Sequence, residues 1–253
     1  MVSVVVPCFN HGHFLRYTIQ SVLESYYKDL EIIIVDDGST DDSRVIAEEL
    51  TREFPNVHYL LQENSGPSVA RNNGISQAHG QYILPLDADD LISADYIGEA
   101  VKVLNSRPDV KVVYAEAEKF GAVNKRWKLK PFSPVALAMD NMIYVSAIFR
   151  KSDWARVGGY TEDAVLVRED WEYWIKLLKD GGEVVKLSFV GFYYRIHANS
   201  RRKSMSKAKK NAEIDYLNLH HPDFFERTLG GPLRKSRSLS RVINFFCGIF
   251  QRS

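Results

Sequence analysis

Cysteines and long apolar runs are scarce in this sequence. Its 253 residues contain two cysteines, Cys8 and Cys247, which lie far apart and form no C-x-x-C motif. A disulfide scaffold is therefore not expected, and a reducing compartment such as the cytoplasm is the simplest interpretation. No apolar run reaches about 18 residues, so no membrane-spanning helix is predicted. The N-terminal residues MVSVVVP lack the basic and apolar regions of a signal peptide.

Signatures of three protein classes are also missing. A dinucleotide-dependent oxidoreductase would carry G-x-G-x-x-G after the first strand, where this chain has Pro7-Cys8-Phe9-Asn10. A phosphorylation receiver domain would share acidic strand ends, but the chain is long for one and shows no suitable lysine at the fifth strand. Nucleic acid binding is not expected, because no aromatic residues interleave with the basic clusters as in a known module.

Charge is distributed unevenly along an otherwise ordinary composition of 45% hydrophobic and 26% charged residues. Residues 1–200 carry 21 Lys and Arg against 28 Asp and Glu, whereas residues 201–253 carry 12 against 4. The tail contains the basic clusters RRKSMSKAKK (201–210) and LRKSRSLSR (233–241) and the apolar stretch SLSRVINFFCGIF. Two interpretations stay open: peripheral contact with the anionic cytoplasmic face of a membrane, or a solvated basic face with a packed helix.

Short apolar runs alternate with helical stripes in the first half of the chain. The runs predict strands over residues 2–6, 32–35, 57–61, 82–86 and 111–115. Between them, helices are predicted over residues 14–27, after Thr40 or Asp41, from Ser65-Gly66-Pro67, and from Ser93 to Leu104. This order predicts an α/β fold with a Rossmann-like, mostly parallel central sheet flanked by helices.

The pattern loosens after Glu116. Residues 118–135 predict a loop or hairpin, residues 143–149 a strand, and residues 170–178 a helix with an apolar stripe. Residues 184–194 are apolar and β-rich, and Gly191 is expected to break them. The tail after residue 200 is expected to form a C-terminal helical extension.

Each of the first four predicted strands ends in polar, turn-forming residues. They are Pro7-Cys8-Phe9-Asn10, Asp36-Asp37-Gly38-Ser39, Glu63-Asn64-Ser65-Gly66 and Asp87-Ala88-Asp89-Asp90. The carboxyl ends of parallel strands point the same way, and ligands bind in the crevice outside them. The sequence therefore predicts one acidic cleft.

The D-x-D sequence Asp87-Ala88-Asp89 concentrates carboxylates at an apolar strand end, where they repel one another and are costly to desolvate. Period-two alternation puts Asp87 and Asp89 on one side and Ala88 opposite, if the chain stays extended. Mg²⁺ or Mn²⁺ carrying a diphosphate would neutralise such oxygen ligands. The alternative is that these acids cap the next helix, but their position beside a second acidic strand end favours a site.

Other residues of the predicted cleft also allow two interpretations. Asp36-Asp37-Gly38-Ser39 is typical of a tight turn, and a carboxylate there can also accept a hydrogen bond from a nucleotide base. Phe9 could pack in the core or stack on a base. Arg71 could be a solvated helix residue or a charge partner, and the acidity of the cleft favours the second.

Six motifs carry a family resemblance over residues 1–200. V-S-V-V-V-P-C-F-N, I-V-D-D-G-S-T-D, A-R-N-N-G, L-D-A-D-D, G-G-Y and R-E-D-W-E occur in the order found in inverting family 2 glycosyltransferases of GT-A fold, which this sequence resembles. The resemblance implies a nucleotide-sugar donor, usually a UDP-sugar, and Mn²⁺ or Mg²⁺. It also implies a glycan or lipid-linked glycan acceptor in polysaccharide biosynthesis.

The resemblance also assigns donor-binding roles to individual residues. Pro7 and Phe9 would frame the base, Asp37 would bind the uracil N3–H, and Arg71 would lie beside the base. Asp87 would hold the ribose or the metal, and Asp89 would ligate the metal. The nucleotide-sugar set is completed by Asn10, Asp36, Ser39 and Ala88. His197, in a segment that resembles one folded over the diphosphate in these enzymes, is a candidate metal or phosphate ligand.

On the acceptor side, the resemblance makes Asp170 the catalytic base, with Glu169 beside it. Acids in the first turn of a helix also complement its dipole, and both roles can hold together. Trp171 is expected in the core, with one edge on the acceptor pocket. Gly158-Gly159-Tyr160 could form a helix-ending turn or, as the resemblance implies, Gly159 and Tyr160 could leave room for the acceptor.

The predicted organisation has three parts. Residues 1–115 form a nucleotide-sugar-binding half, residues 116–200 an acceptor-binding and catalytic half of the same domain, and residues 201–253 a basic extension. The rival function is a catalytically inactive nucleotide-sugar-binding module, against which the Glu169-Asp170 pair argues.

Overall fold

The computed structural model describes residues 1–197 and 206–250, and only the backbone of residues 248–250. The described residues form two compact units. The first contains residues 1–129, 144–160 and 182–197, and the second contains residues 130–143, 161–181 and 206–250. The predicted boundaries near residues 115 and 200 stay a prediction. The cluster 201–210 lies partly outside the described residues.

The first unit is built on a sheet of nine strands among the residues that the structure describes. The strands are β1 Val2–Cys8, β2 Leu30–Asp36, β3 Val57–Leu61, β4 Tyr82–Pro85, β5 Leu91–Ile92, β6 Val110–Gly121, β7 Lys125–Trp127, β8 Ile148–Arg150 and β9 Glu183–Ile196. Their spatial order is β3-β2-β1-β4-β8-β6-β9-β5, with β7 paired to β6.

The sheet has a parallel half and a mixed half. The neighbours β3, β2, β1 and β4 run parallel, so their carboxyl ends meet at one edge. Strand β8 then pairs antiparallel with both β4 and β6, and β6 runs parallel to β9. The predicted mostly parallel arrangement therefore applies to the four strands that carry the polar strand ends.

Five helices accompany this sheet in the described part of the first unit: α1 Gly12–Leu23, α2 Ser43–Glu53, α3 Pro67–Gln77, α4 Tyr96–Ser106 and α6 Lys151–Val157. Pro67 occupies the first turn of α3, where its missing N–H costs nothing. A Cβ atom at Gly74 would lie 2.9 Å from Val35 Cγ2, so the glycine allows α3 to approach the sheet closely. This contact fixes the helix that carries Arg71.

The described part of the second unit is helical. It contains α5 Pro134–Met139, α7 Glu169–Leu178, α8 Lys207–His220, α9 Pro222–Leu229 and α10 Ser240–Phe250. Helix α7 buries Trp171, Trp174, Ile175 and Leu178, the stripe that the sequence predicted. Helices α8 to α10 confirm the predicted C-terminal helical extension. No helix of the described residues is both long and apolar enough to cross a membrane.

Two predictions for the second half of the chain were wrong in whole or in part. The strand predicted over residues 143–149 forms only at its last two residues, where β8 begins, because a short and mostly buried apolar run does not by itself select β structure. Gly191 does not break β9, which continues to Ile196. A Cβ atom there would lie 2.6 Å from Ala115 Cβ and 2.9 Å from Tyr96 Cδ2, so glycine is needed for close packing.

Candidate functional site

The loops after β1 and β2 are joined through Asn10. Its Oδ1 accepts hydrogen bonds from Thr40 N at 2.8 Å and Asp41 N at 3.3 Å, and its own N donates to Ser39 Oγ at 3.0 Å. Asn10 adopts a left-handed backbone with φ of 56°, which asparagine tolerates better than most residues. Asn10 therefore holds two predicted parts of the cleft in one fixed arrangement.

Both aspartates of the β2 end are buried and hydrogen-bonded to neutral donors. Asp36 accepts from Ser39 N at 2.8 Å and from Tyr59 Oη at 3.0 Å. Burial raises the pKa of Tyr59, and the hydrogen bond to Asp36 raises it further.

Asp37 joins the ends of β2 and β3. Its carboxylate accepts from Gln62 Nε2 and Ser65 N, each at 2.7 Å, and from Gly66 N at 2.9 Å. A carboxylate offers about four lone-pair sites, so these three donors leave capacity for one more.

Phe9 and Pro7 occupy different environments. Pro7 lies within β1, whereas Phe9 follows the strand and keeps 44% of its surface exposed. The core-packing interpretation of Phe9 is therefore wrong. An exposed ring beside the fixed β2 loop is available for stacking, and the predicted base contact stays a prediction.

Asp87 and Arg71 form an ion pair. Arg71 Nη2 lies 2.7 Å from Asp87 Oδ1, and the arginine side chain is only 4% exposed. Arg71 is thus a charge partner of the acidic strand end and not a solvated helix residue.

Asp89 is part of a second cluster. Its Oδ2 lies 2.7 Å from His197 Nε2, directly after β9. His11 completes the group, because one potential ligand atom from each of these residues lies within 4.8 Å of the other two. The buried Nδ1 of His11 has no hydrogen-bond partner within residues 1–197 and 206–250. Two imidazole nitrogens and one carboxylate are a donor set that fits a divalent transition metal.

The chain does not stay extended after β4, so the alternation argument for Asp87 and Asp89 fails. Asp90 N donates to Asp87 O at 3.0 Å, which closes a turn over residues 87–90. The two carboxylates consequently meet different partners, Arg71 and His197. Ala88 is buried in this turn, and its carbonyl oxygen accepts a hydrogen bond from Thr18 Oγ1 at 2.9 Å.

Arg195 and Asp90 hold the turn against β9. Arg195 N donates to Asp90 Oδ1 at 2.7 Å, and Arg195 Nε donates to Asp89 O at 2.8 Å. The guanidinium lies over the rings of Phe14 and Phe120, at 4.4 and 4.3 Å from their centroids. Burial raises the pKa of Asp90 well above its ordinary value, and the charges of Asp89 and Asp87 raise it further.

Gly159 and Tyr160 form a helix-ending turn bound to α3. Asn72 Oδ1 accepts from Tyr160 N at 2.8 Å, and Asn72 Nδ2 donates to Tyr160 O at 2.7 Å. Gly159 has φ of 67°, and a Cβ atom there would lie 2.6 Å from Asn72 Oδ1. The turn interpretation is therefore confirmed, while the acceptor role of both residues stays a prediction.

The predicted base lies in the second unit, in the first turn of α7 beside Glu169. Asp170 Oδ2 accepts from Asn141 Nδ2 at 2.7 Å, and Asp170 Oδ1 accepts from Trp171 N at 2.9 Å. Trp171 is fully buried and donates from Nε1 to Leu137 O at 2.7 Å, as expected of a core residue. These contacts orient the Asp170 carboxylate.

The start of α7 is anchored by Arg168 and Glu213. Arg168 N donates to Glu213 Oε1 at 2.8 Å, and the two side chains form an ion pair. Glu213 is completely buried, and the Arg168 guanidinium lies 4.2 Å from the centroid of the Trp171 ring. The backbone that carries Glu169 and Asp170 is thereby held in place from outside its own helix.

Three site residues were missed from the sequence. His11 follows the polar end of β1 in the sequence Asn10-His11-Gly12-His13. Because the ends of β1 and β4 were predicted to face one cleft, this histidine could have been named as a second imidazole ligand. Arg195 lies two positions before His197, and this proximity to a candidate ligand was the signal that could have identified it. Asn141 comes from a segment without recognisable periodicity, so nothing in the sequence pointed to it.

The chain is similar to a known sequence family and to several named relatives. Residues 3–161 match the profile of glycosyl transferase family 2. The chain is 27% identical to the putative teichuronic acid biosynthesis glycosyltransferase TuaG of Bacillus subtilis, over 90% of this chain and 92% of TuaG. It is 37% identical to glycosyltransferase GlyA of Streptococcus pneumoniae, over 44% of this chain but only 16% of GlyA.

A third relative has a more specific name. The GalNAc(5)-diNAcBac-PP-undecaprenol beta-1,3-glucosyltransferase of Campylobacter jejuni is 40% identical over 35% of this chain and 29% of its own length. Thus the chain spans less than a third of GlyA and of this enzyme, but most of TuaG.

Solved structures share the fold at low sequence identity. Staphylococcus aureus TarS 1-349 in complex with UDP-GlcNAc superposes with a TM-score of 0.70 at 17% identity, covering 97% of this chain and 88% of that one. The mannosyltransferase PcManGT of Pyrobaculum calidifontis, in complex with GDP-Man and Mn²⁺, gives 0.64 at 19% identity, covering 97% and 71%. With its matched profile and this architecture, the chain belongs to glycosyl transferase family 2 and has the GT-A fold.

Proposed function

We propose that this protein is a metal-dependent, inverting glycosyltransferase. It transfers a sugar from a nucleotide-sugar, with a UDP-sugar as the favoured donor, to a hydroxyl of a cell-surface glycan or a lipid-linked glycan. The observation that carries the proposal is the group of His11, Asp89 and His197, which follow β1, β4 and β9 in the chain. The names of TuaG, TarS and the Campylobacter enzyme support this donor and acceptor class.

The proposed nucleoside site uses the loops after β1, β2 and β3. The remaining acceptor capacity of Asp37 suits a base N–H, and the exposed ring of Phe9 offers a stacking surface. Asn10 and Asp36 keep these loops fixed, with Ser39 as their shared partner. Arg71 neutralises Asp87 at the same sheet edge, which lowers the repulsion toward an incoming diphosphate.

His11, Asp89 and His197 would hold the divalent cation. A bound cation would stabilise the charge that develops on the departing diphosphate, a contribution on the order of several kcal/mol. Two imidazole ligands favour Mn²⁺ over Mg²⁺, which prefers an all-oxygen environment. The Mn²⁺ complex of PcManGT is consistent with this choice.

Asp170 is the proposed general base. It removes the proton from the acceptor hydroxyl, the oxygen forms a bond to the sugar C1, and the bond from C1 to the diphosphate oxygen breaks. A single displacement from the face opposite the diphosphate inverts the configuration at C1. Asn141 and the N-terminus of α7 orient the carboxylate, while the ion pair of Arg168 with the buried Glu213 fixes the helix start.

The test compares Asp170→Asn with Asp180→Asn, a matched change of an exposed acid just after α7. Release of the nucleoside diphosphate, UDP or GDP, would be measured with Mn²⁺ over a panel of UDP-GlcNAc, UDP-glucose, UDP-galactose and GDP-mannose, with water or added glycans as acceptor. We expect Asp170→Asn to reduce turnover by about 10²–10⁴-fold while thermal stabilisation by UDP is kept. Asp180→Asn should behave as wild type.

Two outcomes would contradict the proposal. Unchanged turnover in Asp170→Asn would remove this residue from the mechanism. Stabilisation by UDP-sugars without turnover of any donor by the wild type would support the inactive binding module instead.

A further inference from the structure

The last helix of the described chain buries two polar residues and exposes two phenylalanines, which is unusual for a helix of a globular domain. Helix α10 turns Ser240 and Asn244 inward, at 0% and 3% exposure. Phe245 and Phe246, in contrast, are 67% and 54% exposed. A helix of a soluble domain ordinarily buries its apolar stripe, so this orientation needs an explanation.

Polar contacts hold α10 in this orientation. Asn244 Nδ2 donates to Leu229 O at 3.2 Å and to Pro232 O at 3.0 Å, and Asn244 Oδ1 accepts from Arg234 Nε at 2.7 Å. Ser240 Oγ accepts from Arg234 N at 3.0 Å. Because these groups are buried and satisfied, rotating the helix to bury its phenylalanines would leave polar atoms without partners.

The outward side chains form a continuous set. Val242, Phe245 and Phe246 follow helical spacing, and Leu239 precedes them in the short 3₁₀ turn Arg237–Leu239. All four are more than half exposed. We call these four residues the α10 patch. Such a contiguous apolar surface marks a site of interaction more often than isolated exposed side chains do.

Positive charge surrounds the α10 patch. From residue 228 to the end, the sequence contains five Lys and Arg and no Asp or Glu. Arg241 lies within α10, is exposed, and makes no ion pair with the residues that the structure describes. Lys235 and Arg237 flank the helix start and pair with Asp215 and Asp140. Apolar side chains framed by cations fit an anionic lipid surface, which offers both an apolar layer and negative headgroups.

We propose that α10 is a membrane-docking helix whose patch inserts into the surface of an anionic bilayer. In this arrangement the helix lies along the interface and Arg241 meets lipid phosphates. The inference goes beyond the proposed function and does not depend on it, because the contacts that carry it involve none of the proposed donor or metal residues.

The first test is co-sedimentation of the full chain with vesicles. One set contains equal parts of phosphatidylglycerol and phosphatidylcholine, and the other contains phosphatidylcholine alone. We expect binding to the anionic vesicles, and a loss of at least about tenfold in partitioning for the double variant Phe245→Ser/Phe246→Ser. Leu219→Ser is the matched control, since Leu219 is 74% exposed on α8 and outside the patch. It should partition as wild type.

A second readout locates the contact. Cys247 is exposed, whereas Cys8 is buried, and burial raises the pKa of the Cys8 thiol to about 11. A polarity-sensitive dye will therefore label Cys247 selectively. Its emission should shift to the blue with anionic vesicles in the wild type and in Leu219→Ser, and stay unchanged in the double variant.

Three results would overturn the proposal. They are equal partitioning of wild type and double variant, no binding to either vesicle type, and self-association in sedimentation experiments that the double variant abolishes while vesicles have no effect. Thermal stabilisation by UDP with Mn²⁺ serves as an independent check. It should be the same in all variants, so a failure of the membrane proposal is distinguishable from a failure of the proposed activity.

Discussion

Two strand ends of the first unit carry neighbouring carboxylates, and different groups compensate the negative charge at each end. At the end of β2, over residues 36–42, the carboxylates of Asp36 and Asp37 are hydrogen-bonded to backbone N–H groups and neutral side chains. At the end of β4, over residues 87–90, Asp87 meets the guanidinium of Arg71, and Asp89 meets imidazoles.

The two loops therefore suit different parts of a ligand. Hydrogen bonds from neutral donors fix the direction of each carboxylate in the β2 loop and make a rigid surface for a flat, neutral group such as a base. The β4 turn instead keeps titratable and cationic partners close to its acids, which suits an ion and a diphosphate. We therefore expect substitutions in the two loops to affect different measurements.

The largest expected effect concerns Mn²⁺ binding. Asp89→Asn removes the only carboxylate of the proposed ligand group, and we expect the Mn²⁺ dissociation constant to rise by at least about 100-fold. Asp36→Asn is the matched change in the β2 loop and should leave the constant unchanged. Isothermal titration calorimetry checks both. Equal losses in the two variants would remove the distinction between the loops.

A smaller effect is expected for the ion pair of the β4 turn. Arg71→Met leaves the Asp87 carboxylate without its guanidinium partner, and we expect the free energy of unfolding to fall by about 2 kcal/mol. The cost stays below that of a fully buried pair because the Asp87 side chain is 34% exposed. Urea unfolding measures it. The double variant Arg71→Met/Asp87→Asn should recover part of the loss, and a double variant less stable than Arg71→Met would contradict the pairing.

The smallest effect is a pH dependence in the β2 loop. Burial alone would raise the pKa of Asp41, but hydrogen bonds from Ser43 and from Gly12 N outweigh it and lower the pKa below its ordinary value of 3.8. A carboxyl whose pKa is lowered on folding stabilises the folded state at pH values above its ordinary pKa. This contribution disappears as the pH falls through the pKa of the folded state.

Asp41→Asn should therefore reduce the free energy of unfolding at neutral pH, and the difference from wild type should shrink under acid conditions below pH 3.8. Urea unfolding as a function of pH makes the comparison. A difference that grows on acidification would have the wrong sign for this explanation.

The parallel half of the fold could be predicted from the sequence, because strands buried on both faces appear as short continuous runs of apolar residues. The runs at Val2 and Ile32 consist almost entirely of β-branched residues, and both became strands of the predicted type. The mixed half was harder. Residues 143–149 are equally apolar, yet tertiary packing and not local propensity decides that most of them form no strand.

The candidate site was predictable as a set of loops but not as a set of contacts. The convergence of polar strand ends followed from parallel topology alone. The partner of each carboxylate could not be predicted from topology, because it depends on the turn that closes between Asp87 and Asp90. The same turn separates Asp87 from Asp89 and brings Asp89 close to His11. The alternation of side chains along an extended strand could not predict this contact.

We propose that this protein holds a divalent cation through the two imidazoles of His11 and His197 and the carboxylate of Asp89. Electron spin echo envelope modulation of the Mn²⁺-loaded full chain with UDP measures nitrogen ligands directly. We expect couplings from two imidazole nitrogens, of which His11→Gln and His197→Gln each remove one. A spectrum without nitrogen coupling, or one that neither substitution alters, would contradict it.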